Sequence, residues 1–297
     1  MQRLSAEKIL AVWEAGRPQH ALDRALTILA AASPGASRAA LADLSIGERD
    51  TLLLQLRALI FGPHAEGFAE CPRCAERVEF PLAAVAFAPR AEGRASARPV
   101  NGSTEQEVEV DGMRFHFRLP TSRDLAEVVT APDSSQALRR LVECCILPPN
   151  ENHPVCHPEP RRRRGTSQSV PDHTSFELDP RASDVRFLRK TQDNALRQPR
   201  DDRKRELPNE VIEAISRAML EADPAAEITL RLTCPACGHQ WDLLFDIAEF
   251  FWTEISAQAQ RLLREIDALA RAYGWTEREI LSLPAQRRQT YLELVAA

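Results

Sequence analysis

Two short cysteine motifs, far apart in the sequence, constrain this chain more than any other feature. The first is Cys71-Pro-Arg-Cys74 and the second is Cys234-Pro-Ala-Cys237, called here the first and second knuckle. Each is followed by residues with the pattern of a β-strand. Two thiolates three residues apart can reach one metal ion from a tight turn, and Zn²⁺ favours four such ligands in a tetrahedron. The sequence therefore predicts one structural zinc site, with the ligands Cys71, Cys74, Cys234 and Cys237.

Other uses of these cysteines remain open at the level of sequence: a different set of metal ligands, or a redox-active pair. A redox Cys-x-x-Cys motif starts a helix in a βαβ unit, and neither motif here opens a helical pattern. The separation between the motifs exceeds the roughly 15–20 residues of ordinary zinc ribbons. Because each doubling of loop length costs only about 0.6 kcal/mol, a site shared by both motifs is the favoured interpretation.

Composition and charge exclude several classes of protein. Apolar residues make up 44% of the 297 residues, charged residues make up 27%, and the net charge is −5. This balance is typical of globular proteins and gives no general attraction for nucleic acids or anionic membranes. The N-terminus becomes charged too early for a secretory signal, and no apolar run is long enough for a membrane span. With seven cysteines and no disulfide pattern, we expect a protein made in the cytoplasm, without a membrane partner.

Several patterns specify the secondary structure. Ser45 with Glu48 has the spacing of a capping box and predicts a helix start. Asp111-Gly112 lies between two alternating apolar runs, which is a strong hairpin signal. Apolar residues recur at helical spacing over residues 247–273, the longest predicted helix. Its apolar seam can pack either on the chain's own helices or on a partner protein.

The expected fold class is α+β, mainly α: a helical body with a split zinc-ribbon-like four-cysteine site and short β-hairpins. Residues 149–206 interrupt this pattern, since they carry four consecutive arginines and no sustained apolar period, a composition typical of disorder. Cys156 and His157 in this stretch resemble metal ligands, but a solvated insertion is the favoured interpretation. The expected segments are an N-terminal helical region (1–62), the first knuckle with a β-hairpin and helices (63–148), a disordered basic insertion (149–206), a helix with the second knuckle (207–246), and a long helix with short C-terminal helices (247–297).

Motifs of enzymatic chemistry are missing from the sequence. It has no Gly-rich phosphate loop, no G-x-S-x-G, no H-E-x-x-H and no histidine beside a plausible nucleophile. We therefore expect no catalytic residues, no small-molecule substrate and no cofactor other than the structural zinc.

Runs at both ends of the chain resemble a family of phage-type baseplate proteins. At the N-terminal end the resemblance lies in residues 44–50, Leu54-Gln55-Leu56-Arg57, Phe61-Gly62 and the first cysteine motif. At the C-terminal end it lies in residues 234–241, Phe250, Trp252-Thr253-Glu254-Ile255, residues 272–277, Arg287-Arg288 and Tyr291-Leu292-Glu293-Leu294. The family is similar to the baseplate hub and hub-assembly proteins of T-even phages and occurs in contractile injection systems. The resemblance implies a structural or assembly role, chaperone-like in the second case. It also implies docking to other baseplate or tail proteins through helical faces and incorporation in a phage-tail-like particle.

The alternative function is a zinc-ribbon protein that binds nucleic acid. Such a protein needs a basic face with aromatic side chains. The residues beside the knuckles give this weak support, because Arg73, Arg77, His239 and Trp241 are balanced by Glu70, Glu76, Glu79 and Asp242.

Overall fold

The structure, a computed structural model, describes residues 1–83, 105–148 and 207–296. The predicted insertion at 149–206, including Cys156 and His157, therefore lies outside the described residues. The described residues of Met1–Pro149 and Pro208–Ala297 form one compact unit. All of the described helices and strands belong to this unit, so that both ends of the sequence contribute to one body.

Helices dominate the described residues. They are α1 (Ala6–Gly16), α2 (Ala21–Ala32), α3 (Arg38–Ala42), α4 (Ile46–Phe61), α5 (Ser122–Val128), α6 (Ser134–Cys145), α7 (Asn209–Ala222), α8 (Ile247–Tyr273), α9 (Glu277–Ser282) and α10 (Ala285–Ala296). The strands are β1 (His64–Glu70), β2 (Arg77–Ala83), β3 (Gln106–Val110), β4 (Met113–Phe117), β5 (Ile228–Thr233) and β6 (Gln240–Phe245). They pair in sequence order as separate antiparallel hairpins, β1–β2, β3–β4 and β5–β6. The predicted fold class, α+β and mainly α, is confirmed.

Local signals in the sequence set the ends of the two central helices. The Ser45 hydroxyl accepts a hydrogen bond from the Glu48 amide, and the Glu48 carboxylate accepts one from the Ser45 amide, which completes the predicted capping box of α4. At the start of α8, Asp246 Oδ1 accepts from two backbone amides of the first turn. The helix ends at Gly274, whose φ of 69° lies in the left-handed region that suits glycine.

The main hydrophobic core joins the N-terminal helices to α8. Buried apolar residues of α1, α2, α3 and α4 form one cluster with the first half of α8. Phe251, Ile255 and Ala259 of α8 have no exposed surface, so the seam of the long helix packs on the chain's own helices. In the second half of α8, Leu269 is also fully buried, as is Ile280 of α9. Among the described helices, none combines the length and the apolarity that crossing a lipid bilayer requires.

Buried polar groups connect α4 to the segments that follow it. Asp223, which precedes β5 in the chain, accepts a hydrogen bond of 2.9 Å from the Gly47 amide in the first turn of α4. A Cβ atom at position 47 would lie 1.9 Å from that carboxylate, so this approach requires glycine. Beside it, Arg49 and Asp50 form a buried ion pair of 2.7 Å. Burial raises the pKa of Asp50, and the Arg49 guanidinium opposes that shift.

A second buried ion pair joins α4 directly to α8. Arg57 donates two hydrogen bonds, of 2.9 and 2.6 Å, to the two carboxylate oxygens of Glu254. Its Nη1 group donates to the backbone carbonyls of Gly62 and His64, at 2.7 and 2.9 Å. The Arg57 side chain is 5% exposed, so water has little access to replace these hydrogen bonds. One guanidinium thus fixes the end of α4, the start of β1 and the face of α8.

We predict that Arg57→Ala destabilises the chain by about 3 kcal/mol, because it leaves a partly buried carboxylate and two carbonyls without their donor. Denaturant unfolding measures the change. The matched control is Arg271→Ala, which removes an ion pair with Asp267 whose side chains are 80% and 61% exposed; little change is expected there. Equal effects of the two substitutions would contradict the role given to Arg57.

Candidate metal centre

The cysteine motifs form the tips of two equivalent hairpins. In β1–β2 the last pair before the turn is Glu70 with Arg77, and in β5–β6 it is Thr233 with Gln240. The turns between these pairs, residues 71–76 and 234–239, have the same length. Each first cysteine follows directly after its strand, so the strand register determines where the thiols are placed.

The two turns also share their internal hydrogen bonds. The first cysteine's amide donates to the carbonyl five residues later, and its own carbonyl accepts from the amide four residues later: Cys71 N to Glu76 O at 2.9 Å, Ala75 N to Cys71 O at 2.9 Å, Cys234 N to His239 O at 2.9 Å and Gly238 N to Cys234 O at 3.0 Å. The residue after the second cysteine is left-handed in both turns, with φ of 58° at Ala75 and 68° at Gly238. The sequence carries no signal for the left-handed conformation of Ala75, since alanine rarely adopts it.

The four thiols meet between the hairpins. Cys71 Sγ lies 3.7 Å from Cys237 Sγ, Cys74 Sγ lies 3.6 Å from Cys234 Sγ, and all four atoms lie within 4.8 Å of one another. Zn–S bonds of about 2.3 Å in a tetrahedron place neighbouring sulfur atoms about 3.8 Å apart. A disulfide bond would need about 2.05 Å, and all four cysteines are free. The donor set and its spacing therefore fit a tetrahedral thiolate site, whereas zinc ligation itself stays a prediction.

The surroundings of the four thiols shift the pKa values of Cys71 and Cys74 in opposite directions. Burial opposes ionisation of Cys71, but the backbone amides of Arg73 and Cys74 and the thiols of Cys74 and Cys237 lower the pKa of Cys71 to about 7. The amide of Glu76 favours the Cys74 thiolate, yet the contact with Cys237, burial and the other thiols raise the pKa of Cys74 to about 12. A metal that binds all four sulfurs must therefore displace protons, and its affinity rises with pH.

Few apolar side chains support the hairpin tips. Cys71 and Cys234 are 2% and 1% exposed, and Val78 is the one other buried member of their small cluster, with Trp241 partly buried against it. This cluster is separate from the main core. Two-stranded hairpins are marginally stable in water, so the tips need another source of stability. A shared metal ion would supply it.

The opposite ends of the hairpins rest on the helical body. Ala65, Leu82 and Phe245 line one narrow space together with Leu54 of α4 and Phe250 of α8. The hairpins are thus anchored by apolar contacts at their bases, while their tips meet through the thiols.

The remaining cysteines and histidines of this part of the chain stand apart from the four thiols. The His239 ring stacks on Trp241, with the ring centroids 6.1 Å apart and the planes 7° from parallel. Cys145 of α6 is fully buried, and burial raises the pKa of its thiol to about 12. Cys144 is exposed and lies 3.7 Å from Glu127. Within residues 1–83, 105–148 and 207–296, the four-cysteine cluster is the group of histidine, cysteine and acidic side chains whose geometry suits a metal ion.

We predict that the full chain binds one zinc ion and that Cys74→Ser releases it. Because the tips and the main core are separate clusters, the loss is expected to be local. Hydrogen exchange should accelerate at the tips of β1–β2 and β5–β6 and stay unchanged at residues 251–262 of α8. Cys144→Ser, at an exposed cysteine outside the cluster, is the control and should retain zinc. Retention of zinc by Cys74→Ser would contradict the assignment, as would loss of protection throughout the helices.

The equivalent left-handed residues give a paired test. Gly238→Ala places a side chain in the left-handed region, where the penalty is about 1–2 kcal/mol, although no atom lies within 4 Å of the new Cβ. Ala75→Gly removes the same penalty from the other turn. We expect zinc affinity, measured by competition with a chelator, to fall at least about fivefold in the first variant and to rise in the second. Changes in the same direction would show that the turns are not equivalent.

Comparison with known proteins gives one finding. The model of the T4 bacteriophage base plate protein family matches residues 201–252. The matched region includes α7, the β5–β6 hairpin with Cys234 and Cys237, and the first turns of α8. Neither the curated proteins nor the solved structures contain a match. The match over residues 201–252 supports a phage baseplate-type protein, in agreement with the resemblance that the sequence predicts.

Proposed function

We propose that this chain is a structural or assembly (chaperone-like) protein of a contractile phage-tail-like baseplate, without catalytic activity. A structural zinc ion cross-links two segments of its body. The observation that carries the proposal is the family match over residues 201–252. It is made in the cytoplasm, docks to other baseplate or tail proteins and is incorporated in the particle.

The structural zinc ion is supported by the geometry of the four-cysteine cluster. Four sulfur donors suit Zn²⁺ better than the oxygen-seeking cations Mg²⁺ or Ca²⁺. Cys71 and Cys237 lie 3.7 Å apart and Cys74 and Cys234 lie 3.6 Å apart, close to the edge of a zinc–thiolate tetrahedron. Four protein ligands leave no position for a substrate or for reactive water, so zinc at this site has a structural role.

Docking through helical faces is supported by apolar side chains that the body leaves exposed. They belong to five different helices: Leu59 of α4 (47% exposed), Leu138 of α6 (38%), Leu220 of α7 (39%), Leu263 of α8 (38%) and Leu294 of α10 (62%). Exposed apolar side chains on a helical body are suited to contacts with partner proteins.

The competing function, nucleic-acid binding, is favoured by one feature, the stacked pair of His239 and Trp241. The cations beside the knuckles oppose it. Arg231 pairs with Asp242 at 3.0 Å, and Arg77 lies over the Phe68 ring and 3.7 Å from Glu79. Because these guanidinium groups already face carboxylates, they leave little net positive charge for phosphates.

The proposal predicts which proteins co-purify with the chain. The tagged full chain is expressed in the cell that encodes it, and the retained proteins are identified by mass spectrometry. We expect tail and baseplate proteins. Leu263→Glu and Leu294→Glu, both on helices, should reduce their recovery severalfold.

The matched control for this experiment is Leu244→Glu on β6, where the leucine is 65% exposed but belongs to a hairpin. It should leave the recovery unchanged. Recovery of ribosomes or RNA polymerase in place of tail proteins would overturn the baseplate proposal. Equal losses in the hairpin and helix variants would overturn docking through helical faces.

A further inference from the structure

We propose that the four-cysteine cluster is also a site of reversible oxidation, at which disulfide bonds form across the two knuckles and not within them. The pairs are Cys71 with Cys237 and Cys74 with Cys234. The inference uses the same four thiols as the proposed zinc site and rests on the proposed function only for its biological setting.

The pairing follows from which sulfur atoms are in contact. All four sulfur atoms lie within 4.8 Å of one another, and the two pairs with hydrogen-bond geometry connect one knuckle to the other: Cys71 Sγ to Cys237 Sγ at 3.7 Å, and Cys74 Sγ to Cys234 Sγ at 3.6 Å. Each pair must close by about 1.6 Å to reach a bond length near 2.05 Å. Because the second cysteine of each knuckle lies beside the first cysteine of the other, both bonds can form in the same molecule.

Each cross-knuckle pair combines an accessible sulfur with a buried one. Cys74 is exposed and faces Cys234, which is 1% exposed; Cys237 is partly exposed and faces Cys71, which is 2% exposed. A small oxidant therefore meets the outer sulfur first. The inner sulfur is within reach to attack the oxidised atom before further oxidant does.

The chemistry balances with hydrogen peroxide as the oxidant. The outer thiol releases its proton to solvent, the resulting thiolate attacks one peroxide oxygen, the O–O bond breaks, and a sulfenic acid and hydroxide form. The inner thiolate then attacks the sulfenic sulfur, the S–S bond forms, and the second oxygen leaves as hydroxide. With two protons from solvent, each pair loses two electrons and one peroxide becomes two waters. A thiol reductant reverses the reaction.

The consequence is a change in what holds the hairpin tips together. The paired cysteines are 166 and 160 residues apart in the sequence. A disulfide across the knuckles joins the part of the body before the 149–206 segment to the part after it. Because zinc is held by thiolates, any zinc bound at the cluster leaves as Zn²⁺ when the disulfides form. A metal-held closure made in a reducing cytoplasm would thus become a covalent closure once the protein meets an oxidising medium.

Tryptic mapping of the oxidised full chain tests the pairing directly. Arg73 lies between the two cysteines of the first knuckle, so trypsin separates Cys71 (peptide 58–73) from Cys74 (peptide 74–77). Both cysteines of the second knuckle stay in peptide 232–261. After treatment with hydrogen peroxide, we expect both short peptides linked to 232–261, with fragment ions that place the bonds at Cys71–Cys237 and Cys74–Cys234. Dithiothreitol should release them.

Other maps would overturn the inference. Bonds within the knuckles would link peptide 58–73 to peptide 74–77 and leave 232–261 as an internal loop. Sulfinic and sulfonic acids in place of disulfides would show that the inner sulfurs do not intercept the oxidised ones. Linkage of Cys71 to Cys234 would contradict the observed contacts.

A pair of double variants gives the matched control. Cys74→Ser with Cys234→Ser retains the close pair, Cys71 and Cys237, and should cross-link. Cys74→Ser with Cys237→Ser leaves the two buried sulfurs, Cys71 and Cys234, and should cross-link at least tenfold more slowly. Equal rates would overturn the proposed pairing. The wild-type map decides the question even if these variants fold poorly, and it requires no tail protein, so it can fail or succeed independently of the baseplate proposal.

Discussion

The convergence of four thiols from two distant segments is the constraint on which the hairpin region depends. Cys74 and Cys234 are 160 residues apart, and relative to a ribbon with a loop of about 20 residues this closure costs about 2 kcal/mol more. Two other interactions close a slightly longer loop that contains this one: the burial of α8 against α1, α2 and α4, and the Arg57–Glu254 pair. Burial of one large apolar side chain contributes about 1.5–3 kcal/mol. The core alone is therefore sufficient to offset the entropy of closure.

The hydrophobic core and the proposed metal therefore stabilise different parts of the chain. The core joins the two ends of the chain, while the metal would order the hairpin tips, which carry little apolar surface of their own. The bases of both hairpins contact the body near Leu54 and Phe250, so the tips are already close before a metal arrives. Apparent zinc-binding energies of about 10–16 kcal/mol in small zinc peptides far exceed what two short hairpins need.

Local patterns predicted much of this architecture, and contacts between distant residues were beyond them. The capping box at Ser45, the Asp-Gly hairpin and the span of α8 follow from residues a few positions apart. The buried Arg49–Asp50 pair does not, since adjacent charges in a helix usually face solvent. The five-residue helix α3 is too short for an apolar period. The cysteine spacing predicted a shared site, but the sulfur pairing across the knuckles required the fold.

The family match covers the second knuckle and the start of α8, so the baseplate-type region and half of the proposed metal site occupy the same part of the chain. We infer that the other half of the site comes from the first knuckle, with Cys71 and Cys74. X-ray absorption at the zinc edge of the purified full chain tests this most directly. We predict one zinc per chain with four sulfur neighbours at about 2.3 Å. Two sulfurs with nitrogen or oxygen neighbours, or two zinc ions per chain, would contradict it.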